Sequence, residues 1–289
     1  MPDRTRLILH QPTGGLCNRI HALDGAIVLA QRTGRQLIVV WHRRRDFNCA
    51  FDELFEFPAG VDRMISSPLF YGLVWRLQKI MPESVPGVFH RYHDLNVRNI
   101  SRQLADPQAA ADLRRYPLLL FVTCSRPIAG TPGYPWLKPV AAIREQVARD
   151  TQRFADRPTF GVHIRRTDHQ RSILHSPTEV FVEHMQATID EQRAQGRDAQ
   201  FFLATDSPAE EAAMRAQFGD RILTRHRQSL DRNDPAGIRD ALVDLLCLSS
   251  TRGIIGSYNS SFSHVAASIG GIRLTVASRD LRVTPRDPA

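Results

Sequence analysis

Short apolar runs alternate with stretches of helical periodicity along most of the chain. An apolar run over 7–10 is followed by a turn at Gly14 and Gly15, and then by apolar residues at helical spacing over 20–30. A second apolar run lies at 37–41. The chain is therefore predicted to open with a strand, a helix and a strand, whose connection is expected to be right-handed.

The second half of the chain repeats this alternation more regularly. Its apolar runs predict strands over 159–164, 201–205, 222–224, 253–256 and 272–276. Its periodic stretches predict helices over 140–154, 180–192, 208–218, 235–249 and 260–269. Regular alternation of this kind predicts a doubly wound parallel sheet, which binds ligands at the carboxyl ends of its strands.

The stretch between these two regular parts is less periodic. It is expected to hold a short helix over 51–55 and a strand over 118–123, with prolines interrupting the rest. A segment rich in proline and glycine over 127–139 is the best candidate for a linker. With a length of 289 residues, we expect two domains, at 1–135 and 136–289.

Composition narrows the class of protein. A hydrophobic fraction of 42% and a charged fraction of 24% are typical of a soluble globular protein, and they exclude wholesale disorder, collagen and coiled coil. No apolar stretch approaches the roughly 20 residues that cross a bilayer, and the N-terminus has no secretory apolar region. The four cysteines lack C-x-x-C spacing, so we expect no disulfide framework, no metal site and a cytoplasmic location.

The net charge of +8 comes almost entirely from arginine, since Lys79 and Lys138 are the only lysines. Because a guanidinium group grips a phosphate at two points, one explanation is an anionic partner: a nucleic acid, a membrane surface or a phosphorylated small molecule. The other explanation is a coding bias toward arginine. The arginine run at 43–45 is interpreted as a solvated face, because no aromatic residues that could stack on bases are interleaved with it.

Polar clusters follow three of the predicted strands, and the first covers 163–168. His163 and Arg165 alternate with an apolar residue there, so they leave the strand on the same face. An arginine at a strand end can hold a diphosphate and neutralise the charge on a departing phosphate. The alternative is an arginine–aspartate pair, involving Asp168, that only ties down the loop.

The second and third clusters each precede a predicted helix. In the second cluster, Ser207 or Asp206 is expected mainly to cap the helix, since Pro208 stands at the first helical position. In the third cluster, the backbone N–H groups of a helix start combine with the hydroxyl groups of Ser260 and Ser261. This combination predicts an anion site, with helix capping as the alternative.

Two further features carry candidate chemistry. Asp244 lies in an apolar helical run, where its carboxylate must face solvent or find hydrogen-bond donors, such as N1 and N2 of guanine. The loop that holds Gly14, Gly15 and Asn18 matches neither the dinucleotide fingerprint nor the P-loop, which disfavours a nicotinamide enzyme or a P-loop kinase. The two glycines still allow a ligand to approach the backbone closely.

Taken in order, these motifs resemble those of the GDP-fucose-dependent fucosyltransferases, in particular the α-1,6-fucosyltransferases. The run Gly-Gly-Leu-Cys-Asn-Arg at 14–19 is similar to their G-G-x-G-N-[RQ] loop. The run His-Ile-Arg-Arg-Thr-Asp at 163–168 is similar to their H-x-R-R-x-D motif, and 203–206 and 257–263 are similar to their later motifs. The resemblance covers the second half of the chain and its first part, but not the middle.

The resemblance implies a GT-B-like α/β fold, in which two Rossmann-like domains face a central cleft. The first domain would lie on the acceptor side, and the second would bind a nucleotide sugar. Arg165 would contact the β-phosphate in place of a metal ion and would act in catalysis with Asp168, while Asp244 would read guanine. The other donor-binding residues implied by the resemblance are Gly14, Gly15, Asn18, His163, Arg166, Asp206, Ser260 and Ser261.

The implied reaction is a metal-independent, inverting transfer of fucose from the substrate GDP-fucose to a hydroxyl group of a glycan or other acceptor, without a cofactor. Two departures from the family pattern stand out. Cys17 replaces a family glycine, and the loop after Asp168 lacks the glutamate proposed as the base in the core enzymes. Asp168, His169 and His175 are the alternative bases.

Three other functions stay open on the sequence alone. They are a non-catalytic nucleotide- or glycan-binding protein of the same fold, a transferase of another GDP-sugar, and an arginine-driven nucleic-acid binder. The partners expected here are a GDP-sugar and a carbohydrate-type acceptor, with no nucleic acid and no transmembrane segment. Peripheral contact with a membrane surface also stays open.

Overall fold

The chain divides into two α/β units in a computed structural model, which describes residues 6–93, 100, 113–167 and 170–279. The first unit contains the chain up to Val140 together with Asp231–Ile238. The second unit contains Ala141–Leu230 and the chain from Arg239 onward. The short return of the chain to the first unit at Asp231–Ile238 has no counterpart in the sequence pattern.

The described part of the first unit is built on a mixed sheet accompanied by helices. In the described residues its strands are β1 (Leu7–Pro12), β2 (Gln36–Val40), β3 (Arg63–Ile65), β4 (Ser84–Val85), β5 (Phe89–His93) and β6 (Leu118–Thr123). Their spatial order is β3-β2-β1-β6-β5-β4, with β4 antiparallel to β5 and the other neighbours parallel. The helices are α1 (Leu16–Thr33) and α2 (Pro68–Ile80).

Helix α1 follows the predicted pattern closely. Its apolar residues Ile20, Leu23 and Ile27 are buried. The helix ends at Gly34, which adopts the left-handed conformation with φ of 61° and donates its N–H to carbonyl groups of the last turn. The strand–helix–strand opening is therefore present as predicted.

The second unit is a parallel sheet with helices between its strands. Its strands are β7 (Thr159–Ile164), β8 (Gln200–Thr205), β9 (Ile222–Leu223), β10 (Ile254–Ser257) and β11 (Leu274–Ala277). Its helices are α3 (Ala141–Thr151), α4 (Gln170–His175), α5 (Thr178–Ala194), α6 (Pro208–Phe218), α7 (Pro235–Ser249) and α8 (Ser261–Gly270). The first turn of α7 is part of the segment Asp231–Ile238 that belongs to the first unit. The strand order is β11-β10-β7-β8-β9, and all neighbours are parallel. This order confirms the doubly wound sheet, and it reverses direction between β7 and β10.

The core of the second unit is a cluster of apolar side chains from α5 and from the strands of the sheet. Phe181 and Met185 on α5 and Phe201 and Leu203 on β8 are fully buried. Each such side chain contributes about 1.5–3 kcal/mol by leaving water. The core therefore fixes the two central strands, whose carboxyl ends carry the predicted polar clusters.

Two expectations for the middle of the chain are wrong. Residues 51–55 form a tight turn rather than a helix, with the N–H groups of Leu54 and Phe55 both donating to the carbonyl of Phe51. The stretch after residue 60 holds helix α2, which the pattern did not predict. Its start signal was present, since Ser67 caps the helix by accepting from the N–H of Phe70.

The segment over 127–139 is not a free linker. Tyr134 and Trp136 are buried, and both reach helix α1. The hydroxyl of Tyr134 lies 2.9 Å from Nδ1 of His21, and Nε1 of Trp136 donates to Oδ1 of Asp24 at 3.1 Å. Large aromatic side chains with buried partners therefore hold this proline-rich segment on the first unit.

Within the described part of the chain, no helix combines the length and the apolar character needed to span a membrane.

The buried Asp24 should make the stability of the first unit depend on pH. Burial raises the pKa of Asp24 to about 6, and the guanidinium group of Arg126, whose Nη2 lies 3.0 Å from Oδ2 of Asp24, opposes the rise. In the unfolded chain an aspartate titrates near pH 4, so the folded state binds the proton more tightly. The contribution of Asp24 is thus fully present below about pH 4 and falls by about 3 kcal/mol as the pH rises through 6.

The measurement compares urea unfolding of the wild type and Asp24→Asn over this pH range. We expect the stability of the wild type, relative to the variant, to decrease as the pH rises. Exposed Asp52 provides the matched control as Asp52→Asn, which should run parallel to the wild type. Parallel curves for the wild type and Asp24→Asn would contradict the role given to Asp24.

Candidate functional site

The predicted polar clusters of the second unit meet where β7 and β10 lie side by side. These two strands are parallel neighbours, with His163 opposite Gly256. The strand order reverses at this pair, and open α/β sheets bind their ligands in the crevice outside such a switch point. The carboxyl ends of β7 and β10 therefore form the candidate site.

His163 lies at the end of β7 as a buried, uncharged side chain. Its Nδ1 lies 2.8 Å from Oγ of Ser263, and its ring stacks on Phe262 at a centroid distance of 4.7 Å. Burial, with the nearby charge of Arg165 as a smaller cause, lowers the pKa of His163 from 6.5 to about 3. The imidazole is therefore neutral at physiological pH and can exchange hydrogen bonds without adding charge.

Arg165 is fixed through its backbone. Its N–H donates to Oγ of Ser257 at 3.0 Å, and the same hydroxyl donates to the carbonyl of His163 at 3.2 Å. Ser257 therefore ties the end of β10 to the end of β7 and sets the direction in which the Arg165 side chain leaves the sheet. That side chain is partly exposed.

The start of helix α8 offers donors to an anion. Ser260 occupies the N-cap position, but its side chain makes no capping hydrogen bond. The hydroxyl is buried, and no described residue is its hydrogen-bond partner. Ser261 follows as the first helical residue and is partly buried. A helix N-terminus with a buried hydroxyl that has no partner among the described residues is suited to bind an oxyanion.

Asp206 and Arg166 shape the loop after β7. The carboxylate of Asp206 accepts from the N–H of Arg166 at 2.7 Å and from the N–H and hydroxyl of Thr167 at 3.3 and 2.7 Å. The guanidinium group of Arg166 bonds to Glu210, to the carbonyl of Ser176 and to the hydroxyl of Thr178. Asp206 and Arg166, both predicted to bind the donor, are therefore hydrogen-bonded within the protein. They fix the loop residues that directly follow Arg165.

Asp244 lies in helix α7 with two arginines for partners. Its Oδ2 accepts from Nε of Arg227 at 2.7 Å, and its Oδ1 lies 3.6 Å from Nη1 of Arg225. Burial raises the pKa of Asp244, while the two guanidinium groups oppose this shift. The carboxylate therefore does not face solvent, and Oδ2 has found a donor within the protein. Oδ1 is buried and has no hydrogen-bond partner among the described residues.

Arg225 and Arg227 were not singled out in the sequence. Arg225 also pairs with Asp150 at 2.9 Å and with Asp240 at 2.8 Å. Arg227 borders a cavity of about 300 Å³ beyond the end of β8. The other lining residues are Thr205, Ser207, Pro208, Glu211, Ala212, Arg215 and Leu230. The sequence did show two arginines at alternate positions after β9. It did not show that they form ion pairs, because their acidic partners are distant along the chain.

Ser176 is a second residue that sequence reasoning missed. It is fully buried just before α5, and its hydroxyl accepts from the N–H of Tyr258 at 2.7 Å and donates to the carbonyl of Ala277. Its own carbonyl accepts from Arg166. Ser176 therefore links the loops that follow β7, β10 and β11, although a lone serine before a proline gives no sequence signal for this role.

Gly14, Gly15 and Asn18 belong to the first unit, in the loop between β1 and α1. Gly14 has φ of 75°, and a Cβ there would lie 2.9 Å from Nδ2 of Asn18, so only glycine fits. The buried side chain of Arg19 supports the loop by donating from Nε to the carbonyl of Gly14 at 3.0 Å. Cys17, which departs from the family pattern, is buried.

Of the three candidate bases, the structure describes His175. Asp168 and His169 lie outside the described residues. His175 ends helix α4, and its ring lies 4.8 Å from that of Tyr258. Over the described ranges, no group of three or more histidine, cysteine, aspartate or glutamate side chains is arranged to hold a metal ion.

Solved structures of fucosyltransferases share this architecture. NodZ α-1,6-fucosyltransferase soaked with GDP-fucose is 18% identical over 91% of this chain and 92% of its own, with a TM-score of 0.57. Arabidopsis thaliana FUT1, in a mutant form in complex with GDP, is 14% identical over 98% of this chain and 72% of its own, with a TM-score of 0.64. This chain has the fold of these fucosyltransferases.

POFUT1 in complex with GDP extends the fucosyltransferase likeness, at 15% identity over 95% of this chain and 99% of that one, with a TM-score of 0.58. The GT-B-like α/β fold class expected from the sequence is confirmed, as is the resemblance at the level of fold. No protein-family model matches the chain, and no curated protein matches it by sequence.

Removal of the Asp244 carboxylate should destabilise the second unit. In Asp244→Ala, the buried guanidinium groups of Arg225 and Arg227 lose a shared counter-charge, which should lower the free energy of unfolding by about 3–5 kcal/mol. Asp190→Ala is the control, since its carboxylate is exposed and lies 3.7 Å from exposed Arg193. Urea denaturation followed by circular dichroism measures both. Equal stability of the two variants would show that the network does not depend on Asp244.

Proposed function

We propose that the chain is a metal-independent, inverting glycosyltransferase that transfers fucose from GDP-fucose to a hydroxyl group of a carbohydrate-type acceptor. The second unit binds the nucleotide sugar, and the first unit lies on the acceptor side. The observation that carries the proposal is the junction of β7 and β10, where Arg165 is anchored beside the start of helix α8. The shared fold with enzymes crystallised with GDP and GDP-fucose supports it.

The start of α8 binds the diphosphate in this proposal. The hydroxyl of Ser260 is buried and has no partner among the described residues, so a phosphate oxygen would satisfy it. The N–H groups of the first turn and the hydroxyl of Ser261 add further donors. The neutral imidazole of His163 bonds to Ser263 through Nδ1 and can offer a proton on Nε2.

Arg165 stabilises the leaving group. As the bond between the anomeric carbon of fucose and the β-phosphate oxygen breaks, its electron pair passes to GDP. The permanent positive charge of a guanidinium group compensates this developing charge, as a divalent cation does in other enzymes. The acceptor oxygen forms the new bond to the anomeric carbon, and its proton passes to a base, for which Asp168, His169 and His175 are the candidates.

In this proposal, the remaining predicted residues mainly position other groups of the site. Asp206 and Arg166 fix the loop that carries Arg165. Asp244 holds Arg227 at the wall of the cavity after β8 through Oδ2. Its buried Oδ1 has no hydrogen-bond partner among the described residues and is the oxygen that would accept from guanine. On the first unit, Gly14, Gly15 and Asn18 let a ligand approach the backbone of the loop after β1. The cytoplasmic location stays a prediction.

GDP binding tests the nucleotide site. Calorimetry should show that the wild type binds GDP more tightly than UDP or ADP. Loss of one hydrogen bond to a charged phosphate in Ser260→Ala should weaken GDP binding about tenfold. Ser250→Ala is the control, since that hydroxyl bonds to the carbonyl of Leu246 at the end of α7. Unchanged GDP binding in Ser260→Ala would remove the start of α8 from the proposed site.

Turnover tests the role of Arg165. Arg165→Ala should lower kcat for GDP-fucose hydrolysis or transfer by about a hundredfold or more, because leaving-group stabilisation is lost. Arg197→Ala should leave kcat unchanged, since Arg197 is exposed and precedes β8 at the amino ends of the strands. Wild-type activity should persist in EDTA, and GDP-mannose should be the poorer donor. GDP binding without any turnover of the wild type would select the non-catalytic alternative.

A further inference from the structure

A basic pocket lies at the carboxyl edge of the first unit's sheet. It is a shallow depression, wide open to solvent, with a volume of about 570 Å³, and it is lined by Arg43, Arg44, Arg45, Asn48 and Asn233. All of these residues belong to the first unit. The arginines follow β2 closely along the chain, and β2 is parallel to β1, so the pocket lies at the edge that also carries the Gly14 loop. This is the edge where α/β sheets bind ligands.

The basic pocket has more positive charge than its acidic neighbours neutralise. Arg43 pairs with Glu53, and Arg44 pairs with Asp46 at 3.1 Å. Arg45 is exposed, and in the described part of the chain it forms no ion pair or hydrogen bond through its side chain. Arg45 is therefore the arginine whose charge is available to a ligand.

The walls of the basic pocket are held firmly. Nη1 of Arg44 donates to the hydroxyl of Tyr71 at 2.5 Å, and its guanidinium carbon lies 5.4 Å from the ring centroid of Trp75. The backbone of Asn48 donates to the carbonyl of Arg232 at 3.1 Å, and its Nδ2 donates to the carbonyl of Asn233 at 2.7 Å. The returning segment Asp231–Ile238 thus completes a preorganised pocket, which lowers the entropic cost of binding.

We propose that the basic pocket binds a phosphate group carried by the acceptor. The inference rests on the proposed function, which assigns the first unit to the acceptor side, and it deepens that function by naming the acceptor as a phosphorylated compound. Guanidinium forks match the geometry of phosphate oxygens, and three of them line this pocket beside the amides of Asn48 and Asn233. A neutral acceptor would need no such surplus of charge.

Calorimetry on the full chain tests the proposal with galactose phosphate and with free galactose as its neutral counterpart. The chain should bind the phosphorylated sugar and not the free one. Arg45→Gln should weaken this binding about tenfold, the effect of one lost charge-assisted contact. Arg32→Gln is the matched control, because Arg32 is an exposed arginine in the last turn of α1, at the opposite edge of the same sheet. It should bind as the wild type does.

Two further measurements complete the test. Vesicle binding distinguishes a lipid-linked phosphate from a soluble one, and GDP binding distinguishes failure of this inference from failure of the proposed function. Binding to phosphatidylglycerol vesicles that is lost in Arg45→Gln would assign the phosphate to a lipid-linked acceptor and support the pocket.

A tenfold loss of GDP binding in Arg45→Gln would overturn the inference, since the pocket would then serve the donor. A chain that binds GDP but neither phosphate probe also overturns it, and the proposed function then stands. Binding of galactose phosphate through Arg45 without any GDP binding would instead overturn the proposed function.

Discussion

Helix α8 packs on strand β10 at a distance that only glycine permits at position 256. A Cβ there would lie 2.4 Å from Oγ of Ser263, closer than any real contact. This close approach lets Ser263 reach His163, and it brings the start of α8 beside the end of β7. The arrangement of hydrogen-bond donors around the switch point therefore depends on the absence of a Cβ atom at Gly256.

Arginines in the second unit differ in how they are held. Arg166, Arg225 and Arg227 bond to carboxylates, so their charge is largely compensated and they fix loops and helices. The backbone of Arg165 is positioned by its N–H, which donates to Ser257. The guanidinium groups of Arg166, Arg225 and Arg227 therefore stabilise the fold, and the loop after β7 places Arg165 at the carboxyl end of the sheet.

The sequence predicted the strands and most helices of the second unit because each of them carries its own periodicity. The exception is the short helix α4, which lies where a loop was expected. The boundaries 159–164, 208–218 and 235–249 agree with the structure. The first unit was predicted less well. Residues 51–55 form a turn in which Phe51 contacts Trp41 and Phe55 contacts Trp136. Trp136 also holds the proline-rich segment over 127–139 on α1, and none of these contacts has a local signal in the sequence.

For the candidate site, the sequence alone determined which polar residues follow which strands, because alternation and strand order along the chain are local properties. It could not decide what each side chain bonds to. Asp244 meets Arg225 and Arg227 across 17 to 19 residues, and Arg225 meets Asp150 across 75. Only the tertiary structure brings such partners together, and so only it distinguishes the carboxylates and arginines that stabilise the fold from the few polar groups left to meet a ligand.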